Sequence, residues 1–290
     1  MPQPPQPPQP PQPSQPRQAP QAPLHHDLAG DSGTPVLLVM GLLMPGRAWQ
    51  HQVPELSQHH RVATYDHRGV GRSGMAQFPC TMAQMADDAA ALLDRLGWDD
   101  AHVVGVSMGG HIAQHLALRH RRRLRSLTLV ATHAGGRQTH LPRADGLWWF
   151  LRSVAGSRQS RARAIANLLF PRQWLDEVGP EHVRKLLEHD FGQPVPRSTL
   201  FAQLSAILRH DTSPRLGELA GLPTLVVRPG QDRLIRPTES DRLHRLIPGS
   251  RLVAFDDGGH GMIRQCAPAL NAALLAHFAL ADGTATLGPA

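Results

Sequence analysis

The stretch Val103-Val104-Gly105-Val106-Ser107-Met108-Gly109-Gly110 limits what this chain can fold into more than any other. β-Branched apolar residues run into it. Met108, Ile112, Ala113, Leu116 and Ala117 leave it at helical spacing. The pattern predicts a strand, a sharp turn and a helix, with Ser107 on the turn. Gly105 and Gly109 frame the serine as G-x-S-x-G, and their missing side chains let strand and helix cross closely. A serine on such a turn stands clear of its sheet. The helix N-terminus beneath it favours negative charge.

The flanking sequence repeats the theme. Val36 to Met40 is a continuous apolar run, expected of a strand buried on both faces, and Gly41 ends it. Arg61 to Tyr65 is the next strand, followed by the glycine-rich loop Asp66 to Ser73. Thr81 and Gln84 are spaced as a capping box. The helix they open carries Met82, Met85, Ala89, Leu92, Leu93 and Leu96 on one face, and Gly97 stops it. Further strands are expected at 101–106, 127–131, 223–228 and 251–255, with helices near 238–246 and 267–280. This alternation argues for an α/β fold: a mostly parallel central sheet with helices on both faces. It stops at about His133. Residues 134–215 show helical and loop patterns only, so they read as a helical cap inserted over the C-terminal edge of the sheet, where ligands bind. The core is then 24–133 plus 216–282. Residues 1–23 are almost wholly proline and glutamine and read as a disordered tail; 283–290 is a short C-terminal tail.

The net charge of +7 raises the question of nucleic acid. The cations are scattered arginines, with Lys185 the only lysine. The one cluster, Arg119 to Arg125, falls where a helix ends, and cations suit that position. No stacking aromatics interleave with it and no nucleic-acid motif is present, so no nucleic-acid partner is expected. Cys80 and Cys266 form no disulfide framework, which points to reduced thiols and the cytoplasm. No run has transmembrane length, and the start lacks an apolar secretory segment. The histidine pairs His25-His26 and His59-His60 make no ligand set, and no dinucleotide or P-loop fingerprint occurs. Neither metal nor cofactor is expected.

A serine hydroxyl attacks poorly until a base takes its proton. The base should be a histidine, oriented by a carboxylate. Among 18 histidines, His260 stands out in Asp256-Asp257-Gly258-Gly259-His260-Gly261, directly after a strand. The acid is Asp232, on the loop Arg228-Pro229-Gly230-Gln231-Asp232 after another strand. Asp256 and Asp257 lie on the histidine's own loop, where folding back onto the ring is awkward. The order Ser107, Asp232, His260 suits a strand-turn-helix serine. Two backbone donors for an oxyanion are expected from Met108, next to the serine, and Leu42, after the glycine that ends the first buried strand.

At these residues the chain resembles the α/β-hydrolase superfamily. Gly105 to Gly110, Asp66 to Ser73, Gly230-Gln231-Asp232 and Gly259-His260 are similar to its nucleophile elbow, glycine-rich loop, acid turn and histidine loop. The resemblance spans roughly 34–280, and its Asp-His-Arg-Gly form with a short helical cap is most similar to the enol-lactonase and small-ester branch. The chain departs in having Met40-Gly41 where the family usually has His-Gly, and in leaving little room for the usual N-terminal hairpin. The resemblance implies an enzyme that cleaves a carboxylic ester or lactone through an acyl-enzyme. C–C bond hydrolysis and acyl transfer are alternatives on the same three residues; a non-catalytic small-molecule receptor is an alternative of another kind. The cap is the expected pocket wall, and its most apolar stretch is Leu147-Trp148-Trp149-Phe150-Leu151. Any one of these can simply bury the cap against the sheet, but five in a row cannot all face one side of a helix. Some should therefore point at the pocket or a partner, favouring an uncharged, mostly apolar acyl group. Arg143 and Arg152 are the nearby cations a carboxylate substrate would call on.

Overall fold

In the computed structural model, which describes residues 24–74, 80–137, 139, 142–191 and 195–284, seven strands form one sheet. They are β1 (His26–Ala29), β2 (Pro35–Val39), β3 (Arg61–Tyr65), β4 (Ala101–Val106), β5 (Leu124–Val130), β6 (Thr224–Pro229) and β7 (Arg251–Phe255). The spatial order is β1-β3-β2-β4-β5-β6-β7. All neighbours run parallel except β1, which lies antiparallel to β3. Helix α1 (Val53–Leu56) follows β2, α2 (Met82–Arg95) follows β3 and α3 (Met108–Arg119) follows β4. Between β5 and β6 come α4 (Ala144–Val154), α5 (Arg158–Leu169), α6 (Arg172–Val178), α7 (Pro180–Phe191) and α8 (Arg197–Leu208). Then α9 (Pro237–Leu246) precedes β7, and α10 (Met262–Gln265) and α11 (Ala267–Ala281) close the described chain.

The apolar strands are continuous because both faces are covered. Every residue of β2 and β4 is buried. Leu37 and Val39 face a core shared with Met85 and Leu92 of α2, Ile112 and Leu116 of α3, and Leu243 of α9. Val36, Leu38 and Met40 face the opposite core, with Leu270, Leu274 and Phe278 of α11. Each such side chain withdrawn from water stabilises the fold by about 1.5–3 kcal/mol. Thr81 and Gln84 make the expected reciprocal capping box at the start of α2.

Two elements differ from the sequence reading. A first strand does exist: β1 pairs from His26↔Tyr65 to Ala29↔Val62. It is a four-residue edge strand with Leu28 exposed, so it carries no apolar run to read. β5 begins at Leu124 instead of Leu127, since Arg125 is tolerated at the strand's start by pairing with Asp100 at 3.0 Å. The arginine cluster is otherwise a set of braces. Arg119 holds Asp87 through two bonds of 2.9 and 2.7 Å, and Arg123 reaches Asp94 and the Trp98 and Asp99 carbonyls.

Helices α5 and α7 share a small core of their own built on Ala166, Phe170, Val183, Leu186 and Leu187. Gly135 and Asp211 form an isolated antiparallel bridge, so the chain leaves and re-enters the sheet layer through one neck. The tail assigned to 1–23 lies outside the described residues, as do 285–290. Both cysteines are free thiols. No described helix is long and apolar enough to cross a membrane.

Candidate active site

From β2 the chain crosses to β3 on one side, and β4 begins on the other. The ends of β2 and β4 therefore flank the point where strand order reverses, the usual crevice of an open α/β sheet. Ser107 sits at the end of β4 with φ 55° and ψ −121°, a conformation that costs a non-glycine residue about 1–3 kcal/mol. The surroundings hold it there. The Ser107 amide donates to the Val130 carbonyl at 2.9 Å, while the Ser107 carbonyl accepts from the Gly110 amide at 2.9 Å and from Thr132 Oγ1 at 2.8 Å. The glycines are obligatory by contact. A Cβ on Gly105 would lie 2.4 Å from the Gly109 carbonyl oxygen, and one on Gly109 would lie 2.1 Å from that of Val39.

The three residues singled out from sequence come together. Ser107 Oγ lies 3.0 Å from His260 Nε2, and His260 Nδ1 lies 2.7 Å from Asp232 Oδ2. Asp232 and His260 are both buried. The other oxygen, Asp232 Oδ1, accepts from the Leu234 and Ile235 amides at 2.8 and 2.9 Å. Those bonds fix the carboxylate and keep one oxygen for the imidazole. Hydrogen-bond chemistry then sets the tautomer: Nδ1 carries the proton toward the carboxylate, and Nε2 offers its lone pair to the serine hydroxyl.

Leu42 lies in the wall of a cavity of about 180 Å³ that also contains Ser107 and His260. Met108 is the first residue of α3, with its amide at the helix N-terminus. The neighbouring Leu43 amide is already engaged, donating to Gln203 Oε1 of α8 at 2.9 Å. The loop carrying Leu42 is braced from below by residues whose task the sequence did not disclose. His67 Nε2 donates to the Met40 carbonyl at 2.7 Å. Asp66 accepts the Gly46 amide on one oxygen at 2.7 Å and the Arg72 amide on the other at 2.8 Å. Arg68 grips Asp88 through two bonds of 2.7 and 2.5 Å. The Asp-His-Arg-Gly segment is thus a scaffold for the loop opposite the serine.

The cavity wall is mainly apolar: Phe150 and Val154 of α4, Leu169 of α5, Phe170, Leu200 of α8 and Ile263 of α10. Residues 147–151 are expected to send some side chains, not all, to the pocket or a partner. Of that stretch only Phe150 faces the cavity, whereas Leu147, Trp148 and Leu151 are about half exposed at 46, 57 and 53%. Helical geometry turns adjacent residues through wide angles, so five in a row span more than one face. The arginines are reassigned. Arg143 faces Asp145 at 3.4 Å and Arg152 lies over the Trp148 ring. Arg264 is the arginine that lines the cavity.

One grouping escaped the sequence reading, which found no ligand set. Donor atoms of His111, His133 and His210 lie within 4.8 Å of one another. Burial holds His111 well below the usual histidine range and lowers His133 to about 4 and His210 to about 3. None of the three lines the cavity.

Comparison with known proteins extends these observations. The family model described as the alpha/beta hydrolase fold matches residues 34–263. A protein of Azorhizobium caulinodans named as the carbamate hydrolase RutD is 33% identical over 249 residues, covering 82% of this chain and 88% of its own. The crystal structure of the enol-lactonase from Burkholderia xenovorans superposes with a TM-score of 0.74 at 25% identity, covering 88% of this chain and 95% of that one. A thermophilic esterase from Thermogutta terrifontis gives 0.74 at 27% identity, covering 89% and 93%.

Proposed function

Because the chain belongs to the α/β-hydrolase family, we propose that it is a serine hydrolase that cleaves a small, mostly apolar carboxylic ester or lactone through an acyl-enzyme. The observation that carries this reading is the unbroken relay at the cavity: Ser107 Oγ to His260 Nε2 at 3.0 Å, and His260 Nδ1 to Asp232 Oδ2 at 2.7 Å.

Ser107 Oγ attacks the carbonyl carbon as its proton passes to His260 Nε2. Asp232 stabilises the imidazolium through the Nδ1 proton. The developing oxyanion is held by the Met108 and Leu42 amides, each donor being worth on the order of 2.7–4 kcal/mol. His260 returns its proton to the leaving alkoxide, which departs as the alcohol. Water then attacks the acyl-enzyme, gives a proton to His260, and releases the acid as Ser107 regains its hydrogen. Helices α4 to α8 act as the cap, since Phe150, Leu169 and Leu200 supply the apolar wall. The two free thiols fit a reducing cytoplasm.

A second reading, carbamate hydrolysis, is favoured by the relatives named for that activity. It uses the same nucleophile on a carbonyl flanked by nitrogen. The substrate panel separates the two: p-nitrophenyl esters from acetate upward, simple lactones, and an N-alkyl carbamate ester. For an apolar pocket, kcat/KM rises over the first few carbons, each fitted methylene adding about 1–3 kcal/mol, and then falls where the cap stops the chain. Turnover confined to the carbamate would establish the second reading. Intact-mass spectrometry after a fluorophosphonate supplies the test of mechanism. One adduct per chain is expected, absent in Ser107→Ala, whose kcat should fall by about 10⁶. A Ser107→Ala protein that keeps more than roughly a hundredth of the activity excludes Ser107 as the nucleophile.

A further inference from the structure

The cluster of imidazoles behind the serine turn has no part in the relay from Asp232 to Ser107. His111 lies on α3, His133 just beyond the end of β5, and His210 just beyond the end of α8. The fold alone brings these three separate elements together. The His111 ring stacks on His210 with centroids 4.1 Å apart and meets His133 at 4.2 Å. On the next turn of α3, His115 Nε2 reaches His210 Nδ1 at 3.3 Å.

His111 is 2% exposed, yet neither of its ring nitrogens has a hydrogen-bond partner among the described residues. A neutral imidazole needs one acceptor and one donor satisfied, and buried polar atoms are rarely left bare. Its neighbours are arranged differently. His210 Nε2 faces the His133 carbonyl at 3.3 Å. A carbonyl only accepts, so that nitrogen carries the proton and His210 Nδ1 keeps a lone pair, which accepts from His115 Nε2. Metal-ligating histidines are characteristically oriented by such a bond from the remote N–H to a carbonyl. His133 Nδ1 likewise holds a lone pair, which accepts the Gly135 amide at 3.0 Å.

We propose that His111, His133 and His210 bind one zinc ion, which clasps the end of α8 to the serine-bearing helix. An all-imidazole set suits zinc and its borderline transition-metal neighbours, not calcium or magnesium. Nitrogens on one tetrahedral zinc lie roughly 3.4 Å apart, with bonds of about 2.0–2.1 Å. The donors are within 4.8 Å of one another, so side-chain rotation closes the set. That rotation unstacks His111 from His210 and exchanges two hydrogen bonds for metal bonds, the Gly135 amide on His133 Nδ1 and His115 Nε2 on His210 Nδ1. His115 or a water completes four-coordination. The three ligands lie outside the cavity wall, so the ion is structural and leaves the serine chemistry unchanged.

The test uses the full chain, stripped with EDTA and desalted. Titration with zinc chloride alone, followed by calorimetry and native mass spectrometry, should give one zinc per chain and a raised Tm. Cobalt(II) should give the visible absorption of a tetrahedral nitrogen-rich site. His111→Phe and His210→Phe, which keep an aromatic ring in the stack, should each weaken zinc binding at least tenfold. His59→Gln, at an exposed position, should leave it unchanged. Diethyl pyrocarbonate mapping of the unmodified sequence covers the case in which a variant fails to fold: zinc should protect the half-buried His133 from modification. Absence of stoichiometric zinc, equal affinity in the two Phe variants, or no protection of His133 would each overturn the proposal. So would zinc uptake that is abolished by His260→Ala and blocks fluorophosphonate labelling, because the ion would then sit at the relay itself.

Discussion

Ser107 keeps a left-handed backbone only because its neighbours leave no alternative, and the neighbour that touches its support directly is Gly110. A Cβ there would lie 2.5 Å from Thr132 Cγ2 and 2.6 Å from Thr132 Oγ1. Thr132 is also the residue whose hydroxyl donates to the Ser107 carbonyl. Gly110→Ala should therefore act through Thr132, with overpacking costing about 1–3 kcal/mol and displacement of the nucleophile lowering kcat/KM on the order of 10²-fold. A lowered Tm with unchanged kcat/KM would show that the turn absorbs the methyl without moving the serine. Asp66 sets a second residue-level test. Both its oxygens accept backbone amides, from Gly46 and Arg72. Asp66→Asn points an N–H₂ at one of those N–H groups, leaving a donor unpaired at a cost of about 1–3 kcal/mol. The loss should appear as a lower urea midpoint. An unchanged midpoint would mean that the glycine-rich loop does not depend on Asp66.

At the scale of elements, α8 is coupled to the loop that carries Leu42. Gln203 Oε1 accepts the Leu43 amide at 2.9 Å, and Leu43 itself has φ 60°. Gln203→Leu removes that acceptor while keeping an apolar fit, and the freed loop should misplace the Leu42 amide. The expected result is a roughly tenfold fall in kcat, the equivalent of about 1.4 kcal/mol, with KM little changed and Tm lowered by the Leu43 donor left unpaired; an unaltered kcat would uncouple α8 from the loop. This coupling was not legible in the sequence, and the reason is general. β2, β4 and β6 were readable because strands buried on both faces are written as near-unbroken apolar runs, and edge strand β7 was readable from the apolar Leu252-Val253-Ala254-Phe255. Ser107, Asp232 and His260 were readable because each follows such a strand, and parallel strands deliver their C-terminal loops to one edge. Edge strand β1 has no such signature, for His26-Asp27-Leu28-Ala29 is mostly in contact with water. Gln203 and the three clustered histidines depend on where the helices between β5 and β6 come to rest, and no local periodicity encodes that. Asp66, His67 and Arg68 stood out as a motif, but hydrogen bonds to backbone atoms far along the chain leave no trace in spacing.

For the molecule as a whole, the histidines make acid the condition to watch. Burial lowers His102, His115, His133 and His277 to about 4 and His210 to about 3, from an ordinary value of 6.5. These rings stay neutral in the fold over a range in which they are protonated in the unfolded chain. Below pH 6.5 the unfolded state therefore binds more protons, so stability falls as pH falls. The loss continues until the folded-state values near 4 are reached. Each fully buried group contributes at most about 1.4 kcal/mol per pH unit, and half-buried His115 and His133 contribute less. The carboxylates work in the same direction lower down. Despite the cost of burial, Asp87 is held below its ordinary value by Arg119 and His120, and Asp282 by Thr34, His102 and Arg125. Their pairings are lost once they protonate, and by then the chain's positive net charge of +7 at neutral pH has grown. The expected profile is a urea midpoint that is flat above about pH 7 and drops steeply from 6.5 to 4.5, measured with EDTA present so that no metal is linked to the titration. The drop should come with net proton uptake on unfolding, measurable by calorimetry in buffers of different ionisation enthalpy. A midpoint that stays level from pH 6.5 down to 4.5, with no proton uptake, would mean that these histidines titrate alike in the folded and unfolded chain, and that their burial is not what limits the protein in acid.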